Sequence, residues 1–160
     1  MDRSLVRSVR GCLTQRVIAL CHELPDDGAM SNTTDSTSTT DPQAVIDRYF
    51  ECWNATSDTA RSDAIRRTWA PDARSCDPLA EVTGHEQLAA MFAGLHGTYP
   101  GSSFRQKGGV DAHHNLVRWG WEMLDADGVV TLDGLDVAVI DDGRIAHLAG
   151  FFGYDHPAAP

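Results

Sequence analysis

Apolar and polar positions alternate differently along different parts of the chain, and the changes of period mark its elements. Ala44, Val45, Tyr49, Phe50 and Trp53 recur at three- to four-residue spacing, which predicts a helix over about 42–55. Asp41-Pro42 opens it, with an N-cap residue followed by proline at the first helical position. Residues 56–62 read as a polar loop, and 64–69 as a short second helix that stops before Pro71. Residues 73–76 predict a short strand. Asp77-Pro78 ends it, because the residue before proline is driven to extended backbone. A third helix is predicted over 84–96, with Leu88, Met91, Phe92 and Leu95 on one face.

After Pro100-Gly101 the period shortens to two. Strands are predicted at about 103–112, 116–125, 129–140 and 144–152. The breaks between them, His113-His114-Asn115, Asp125-Ala126-Asp127-Gly128 and Asp141-Asp142-Gly143, suit hairpin turns. Helices first and antiparallel strands second is an α+β order. Three helices packed in a strongly curved, mainly antiparallel sheet would make a cone-shaped α+β barrel with an open mouth.

The chain ahead of this domain has another character. Leu5, Val9, Leu13 and Val17 repeat at helical spacing, with Arg3, Arg7, Arg10 and Arg16 between them. Two readings stay open for residues 1–29: a basic amphipathic surface or targeting helix, or upstream sequence before a start at Met30. Residues 31–41 are Ser/Thr-rich without an apolar side chain and read as a flexible linker. The expected organisation is an extension and linker over 1–41, one domain over 42–154 and a tail over 155–160.

Composition narrows the function. The chain has 160 residues, one domain's worth, and 42% of them are hydrophobic, enough for a core. The formal net charge of -10 argues against nucleic acid and against an anionic membrane surface, since both need basic residues. It favours a soluble protein with a neutral or uncharged substrate, and the partner expected for a pocket of this kind is a small hydrophobic molecule. Lys107 is the only lysine among 13 basic residues, the bias of a GC-rich bacterial genome. Cys12, Cys21, Cys52 and Cys76 form no C-x-x-C pair, and no His cluster has zinc spacing. They read as free thiols in a reducing, cytoplasmic setting, with no metal expected. Dinucleotide, P-loop and nucleophile-elbow motifs are absent from the sequence.

Three residues carry the candidate chemistry. Tyr49 shares a helix face with Val45 and Trp53, so it is buried and its hydroxyl needs a partner, either a core carbonyl or something in a pocket. Asp77 ends a strand whose same face carries the small Ala73 and Ser75, leaving room beside the carboxylate; it equally suits a turn cap before Pro78. Asp136 lies among Leu132, Gly134, Ala138 and Ile140, where desolvation would raise its pKa. The opposite strand face, with Asp133, Leu135, Val137 and Val139, is as apolar, so periodicity leaves open which face is inside. Trp53, Trp69, Phe92, Trp121 and His147 are the candidate pocket walls. Arg118 and Glu122 share a strand face and are candidates to pair, and His113-His114 reads as a solvated turn.

The segments VIDRYFECWN, WAPDARSCDPLAEVTGHEQLAAMF and GLDVAVIDDGRIAHLAGFFG together resemble the nuclear-transport-factor-2-like superfamily, in particular its SnoaL-like and ketosteroid-isomerase-like members. That resemblance implies the cone-shaped fold, a homodimer through the outer face of the sheet, and no cofactor. It implies Asp77 of the D-P dipeptide as the base, and Tyr49 with a protonated Asp136 as hydrogen-bond donors to an enolate; a neutral carboxylic acid in that role is known for ketosteroid isomerase. Two alternatives accompany it: epoxide opening in the same pocket, and a non-catalytic ligand-binding or dimerisation module. The Arg-x-Asp strand pattern of epoxide-opening relatives is missing, since Trp119 and Gly120 follow Arg118.

Overall fold

The structure is a computed structural model that describes residues 41–153. The basic N-terminal stretch, nearly all of the Ser/Thr-rich segment and the tail lie outside the described residues. Helix α1 (Pro42–Asn54) begins where the Asp41 side chain accepts from the Gln43 N–H at 3.0 Å, and it buries Val45, Ile46, Tyr49, Phe50 and Cys52. Helix α2 (Asp58–Thr68) starts earlier than its apolar residues predict. Ser57 caps it by accepting from the Ala60 N–H, so much of the expected polar loop forms its first turns. Its Arg61 is only 5% exposed. The guanidinium escapes an unpaired burial by binding Asp58 at 2.7 Å and the Ala55 carbonyl at 3.1 Å.

Strand β1 (Trp69–Cys76) follows directly, then a three-residue strand β2 (Glu81–Thr83) that the sequence pattern does not reveal. Helix α3 (Gly84–Thr98) leads into β3 (Ser103–His113), β4 (Leu116–Leu124), β5 (Val130–Asp141) and β6 (Arg144–Phe152). The strands form one sheet in the order β2-β1-β6-β5-β4-β3. β1 and β6 run parallel and the other pairs antiparallel. The sheet is curved and open, with β2 and β3 at its edges. Register shifts interrupt four of the ladders, for instance between Lys107 and Val110, and such bulges are what bend a sheet.

One face of every central strand turns to the helices. Val117, Trp119, Trp121 and Met123 on β4, Gly134, Asp136 and Ala138 on β5, and Leu148 and Gly150 on β6 are all buried, at alternate positions as the pleat requires. α1 packs on β3 and α2, and α3 packs on β1 and α2. The rings knit these layers: Tyr49 meets Trp119 edge-on at 5.0 Å and Trp53 meets Phe92 at 4.4 Å. On the outer face Arg118 does not pair with Glu122. The β3–β4 register sets Arg118 opposite Asp111 and Glu122 opposite Arg105, and those are the ion pairs formed, at 2.7 Å each.

Gly134 marks the tightest approach. A Cβ there would stand 2.2 Å from the Phe151 carbonyl oxygen and 2.4 Å from Cζ2 of Trp121. Gly134→Ala should therefore destabilise the fold by about 1–3 kcal/mol, as overpacking does. Urea denaturation reads this directly, and an unchanged midpoint would show that the backbone gives way at no cost.

Candidate functional site

Asp136 sits mid-way along β5, 2% exposed, with Trp119 of β4 and Gly150 of β6 as its cross-strand partners. The inner face of the strand is therefore the one carrying Asp136. Asp133 points outward and pairs with Lys107 at 2.5 Å. Two donors converge on the buried carboxyl: the Tyr49 hydroxyl is 2.5 Å from Oδ2, and the Trp121 indole N–H donates to Oδ1 at 2.9 Å. Burial pushes the Asp136 pKa up to about 7. The hydrogen bonds from Tyr49 and Trp121 oppose that rise, and the neighbouring Asp77 adds to it. The Tyr49 phenol is held well above its ordinary value, first by burial and then by the negative charge of Asp136.

Asp77 lies just beyond β1, immediately before Pro78. Its Oδ1 accepts from the Leu79 and Ala80 amides at 2.7 and 2.9 Å, and its own N–H donates to the Ala80 carbonyl. Oδ2 has no protein partner among the described residues. Asp77 thus makes the turn cap that the sequence allowed and also faces the site. Gly150 separates it from Asp136: a methyl added there would stand 3.0 Å from Asp136 Oδ1 and 3.3 Å from Asp77 Cβ.

These groups share a cavity of about 460 Å³, within the ordinary range for small-molecule sites. Trp53, Phe104, Trp121, Leu148 and Phe152 supply much of its apolar wall, and the exposed Leu79 and Tyr99 mark its mouth. The cavity stays open: its tryptophans border it without filling it.

The family model of the SnoaL-like domain matches residues 46–148, a span holding Tyr49, Asp77 and Asp136. The chain belongs to the SnoaL-like domain family. A candidate isomerase of the SnoaL-like family from Agrobacterium tumefaciens is 29% identical, with a TM-score of 0.67 over 70% of this chain and 97% of that one. A candidate SnoaL-like polyketide cyclase from Jannaschia is 18% identical, with a TM-score of 0.57 over 81% and 92%. A candidate ketosteroid isomerase from Kribbella flavida is 17% identical, with a TM-score of 0.54 over 74% and 82%. The last two establish a shared fold. No curated protein matches the chain.

Within this SnoaL-like cavity the structure brings together Tyr49, Trp53, Asp77, Trp121 and Asp136. It does not bring in three expected wall residues. Trp69 and Phe92 are fully buried behind the wall, with Trp69 packed on Tyr49 and both rings packed on each other. His147 is on the outer face, since it alternates with the inward Leu148 and sits opposite Arg74 and Val139. His113 and His114 face each other at the exposed β3–β4 turn, away from the cavity. Sequence reasoning missed Gly150 as the spacer between the carboxyl groups and Trp121 as a donor. Only the strand register, which a single strand's pattern does not contain, shows either. Met91 and Leu95, predicted on the apolar face of α3, do reach the cavity. Among the described residues no three His, Cys, Asp or Glu side chains are grouped to hold a metal ion, and Cys52 and Cys76 are free. Burial lifts the Cys52 thiol to about 11.

The Asp136 environment fixes a pH dependence. The folded carboxyl takes its proton near pH 7, the unfolded one near the ordinary value of 3.8. Between these values the folded state binds more protons, so this group's contribution to stability falls as pH rises through that window. Asp136→Asn mimics the neutral form. It should raise the denaturation midpoint relative to wild type at about pH 8, with the gain vanishing toward pH 4. An equal gain at both pH values would show that Asp136 is not protonated by its surroundings.

Proposed function

We propose that this SnoaL-like chain is a small enzyme that removes a proton next to a carbonyl group of a hydrophobic substrate and stabilises the enolate so formed. The observation that carries the reading is Asp77. Two backbone amides pin one oxygen, the other is uncommitted, and a buried donor pair lies across a gap of one methyl group. A base positioned this way is worth about 10²–10⁴-fold in rate. The acid form of Asp136 and Tyr49 act as a coupled donor pair toward the developing oxyanion, and such preorganised donors act strongly in a low-dielectric cavity. Isomerisation returns the proton to another carbon. Cyclisation uses the enolate carbon to attack a second carbonyl of the same molecule, whose oxygen then takes a proton. The names of the Agrobacterium, Kribbella and Jannaschia neighbours cover both outcomes. A homodimer through the outer sheet face accompanies this reading, since Leu135, Val137, Val139 and the half-exposed Phe151 leave apolar surface there.

The narrow gap between Asp77 and Asp136 favours one second reading. In epoxide opening, Asp136 would give its proton to the ring oxygen while Asp77 takes one from the attacking water. Open space in the cavity and the raised Asp136 pKa weigh against a module that only binds or dimerises.

The test follows the absorbance of β,γ-unsaturated ketones as they become conjugated. Wild type should turn over and Asp77→Asn should lose at least about 10²-fold in kcat with ligand affinity retained. Turnover undiminished in Asp77→Asn would remove Asp77 as the base. Epoxide hydrolysis without ketone conjugation would shift the assignment to the second reading.

A further inference from the structure

Each oxygen of Asp136 has a different neighbourhood. Oδ1 faces the Trp121 indole N–H at 2.9 Å and, on its other side, the Cα of Gly150, where a methyl would already be at 3.0 Å. Oδ2 faces the Tyr49 hydroxyl alone, at 2.5 Å. An indole N–H donates and never accepts, whereas a phenol does either. A proton placed on Oδ1 would therefore point at another hydrogen, and one placed on Oδ2 would find an acceptor in Tyr49.

We infer that Trp121 is a positioning residue: its N–H keeps Oδ1 of Asp136 an acceptor and so directs the carboxyl proton to Oδ2, beside Tyr49. The indole is well fixed for this. The β4–β5 register sets Trp121 opposite Gly134, and its ring occupies the space that a Cβ at 134 would take, 2.4 Å from Cζ2. Phe104 and Phe152 pack against the same ring at 6.0 and 5.6 Å.

The consequence reaches the substrate. When Asp136 is ionised, Tyr49 donates to Oδ2 and its proton is occupied. When Oδ2 carries the proton, Tyr49 accepts it and its own O–H is released. Tyr49 lines the cavity, and the Trp53 indole beside it makes no hydrogen bond and can only donate, so the direction open to the phenolic proton is the cavity. Protonation at the Trp121-selected oxygen thus turns Tyr49 into a donor to a ligand carbonyl. This step deepens the proposed enolate chemistry and rests on it. The charged or titratable groups around Asp136 are Tyr49 from α1, Asp77 beyond β1 and, on the more distant cavity wall, Tyr99 beyond α3. β4 brings indoles and β6 brings Gly150 and Leu148.

The experiment needs no substrate. In ¹³C,¹⁵N-labelled full-length protein, the Asp136 carboxyl and the Trp121 indole N–H are followed by NMR across pH. The indole resonance should titrate with the Asp136 midpoint. In Trp121→Phe, which keeps a ring and loses the donor, that midpoint should rise by about one pH unit, a tenfold shift in the protonation equilibrium. An indole resonance that ignores the Asp136 midpoint in wild type overturns the inference even if Trp121→Phe does not fold. So does an unmoved midpoint in a folded Trp121→Phe. Absence of ketone turnover would sink the enolate reading while leaving both NMR results to stand.

Discussion

A carboxyl group buried among aromatic rings is costly unless every polar atom finds a partner, and the site is organised around meeting that demand for Asp136. Tyr49 reaches it from α1 and Trp121 from the neighbouring strand, so two elements far apart in sequence are tied to one side chain. The ladder enforces the arrangement. A one-residue slip of β5 would put Leu135 or Val137 where Asp136 stands and turn the carboxyl to the outer face. Gly150 completes it by leaving no side chain between Asp136 and Asp77. Position, partners and the open space beside them thus follow from one register.

Much of this was legible in the sequence, and the parts that were not have a common physical origin. Helix α1 and the four long strands follow from patterns within one segment, and so does the end of β1 at Asp77-Pro78. Tyr49 was bound to be buried because Val45 and Trp53 share its face. What stayed open was whatever depends on a partner strand or on polar pairing. Both faces of β5 are apolar, one lining the cavity and one covering the outer sheet, so only Gly150, Leu148 and Trp119 across the ladders decide that Asp136 is inside. α2 hides in a polar stretch because its buried Arg61 is stabilised by Asp58 and a carbonyl, which a count of apolar residues does not register. Trp69 and Phe92 are aromatic and internal, as a wall residue would be. They lie one layer deeper, because the rings of Tyr49 and Trp53 stand in front of them.

Family membership and the site's chemistry answer different questions. The SnoaL-like domain accounts for the curved sheet and the three helices packed on it. The same fold hosts many reactions, so the reaction has to be argued from the groups on the wall. Here the two carboxyl groups have distinct settings. Asp77 is pinned by amides through one oxygen, in a turn at the cavity edge. Asp136 is enclosed, with its pKa raised to about 7 by burial. Under the proposed reaction, that contrast in setting suits Asp77 to the base and the enclosed Asp136 to the donor.

That asymmetry also constrains what the cavity accepts under the proposed reaction. Its described wall carries Asp77 and Asp136 and no Lys, Arg or His. An anionic substrate would shed its hydration on entry and meet only negative charge, in a medium where that repulsion is poorly screened. An uncharged carbonyl compound has neither defect. It exchanges water for Trp53, Phe104 and Phe152, and its oxygen is the acceptor that the Tyr49 proton lacks once Asp136 is neutral. The growing negative charge of the enolate is then formed against donors already in place, so stabilisation is concentrated on the transition state and not on the bound substrate.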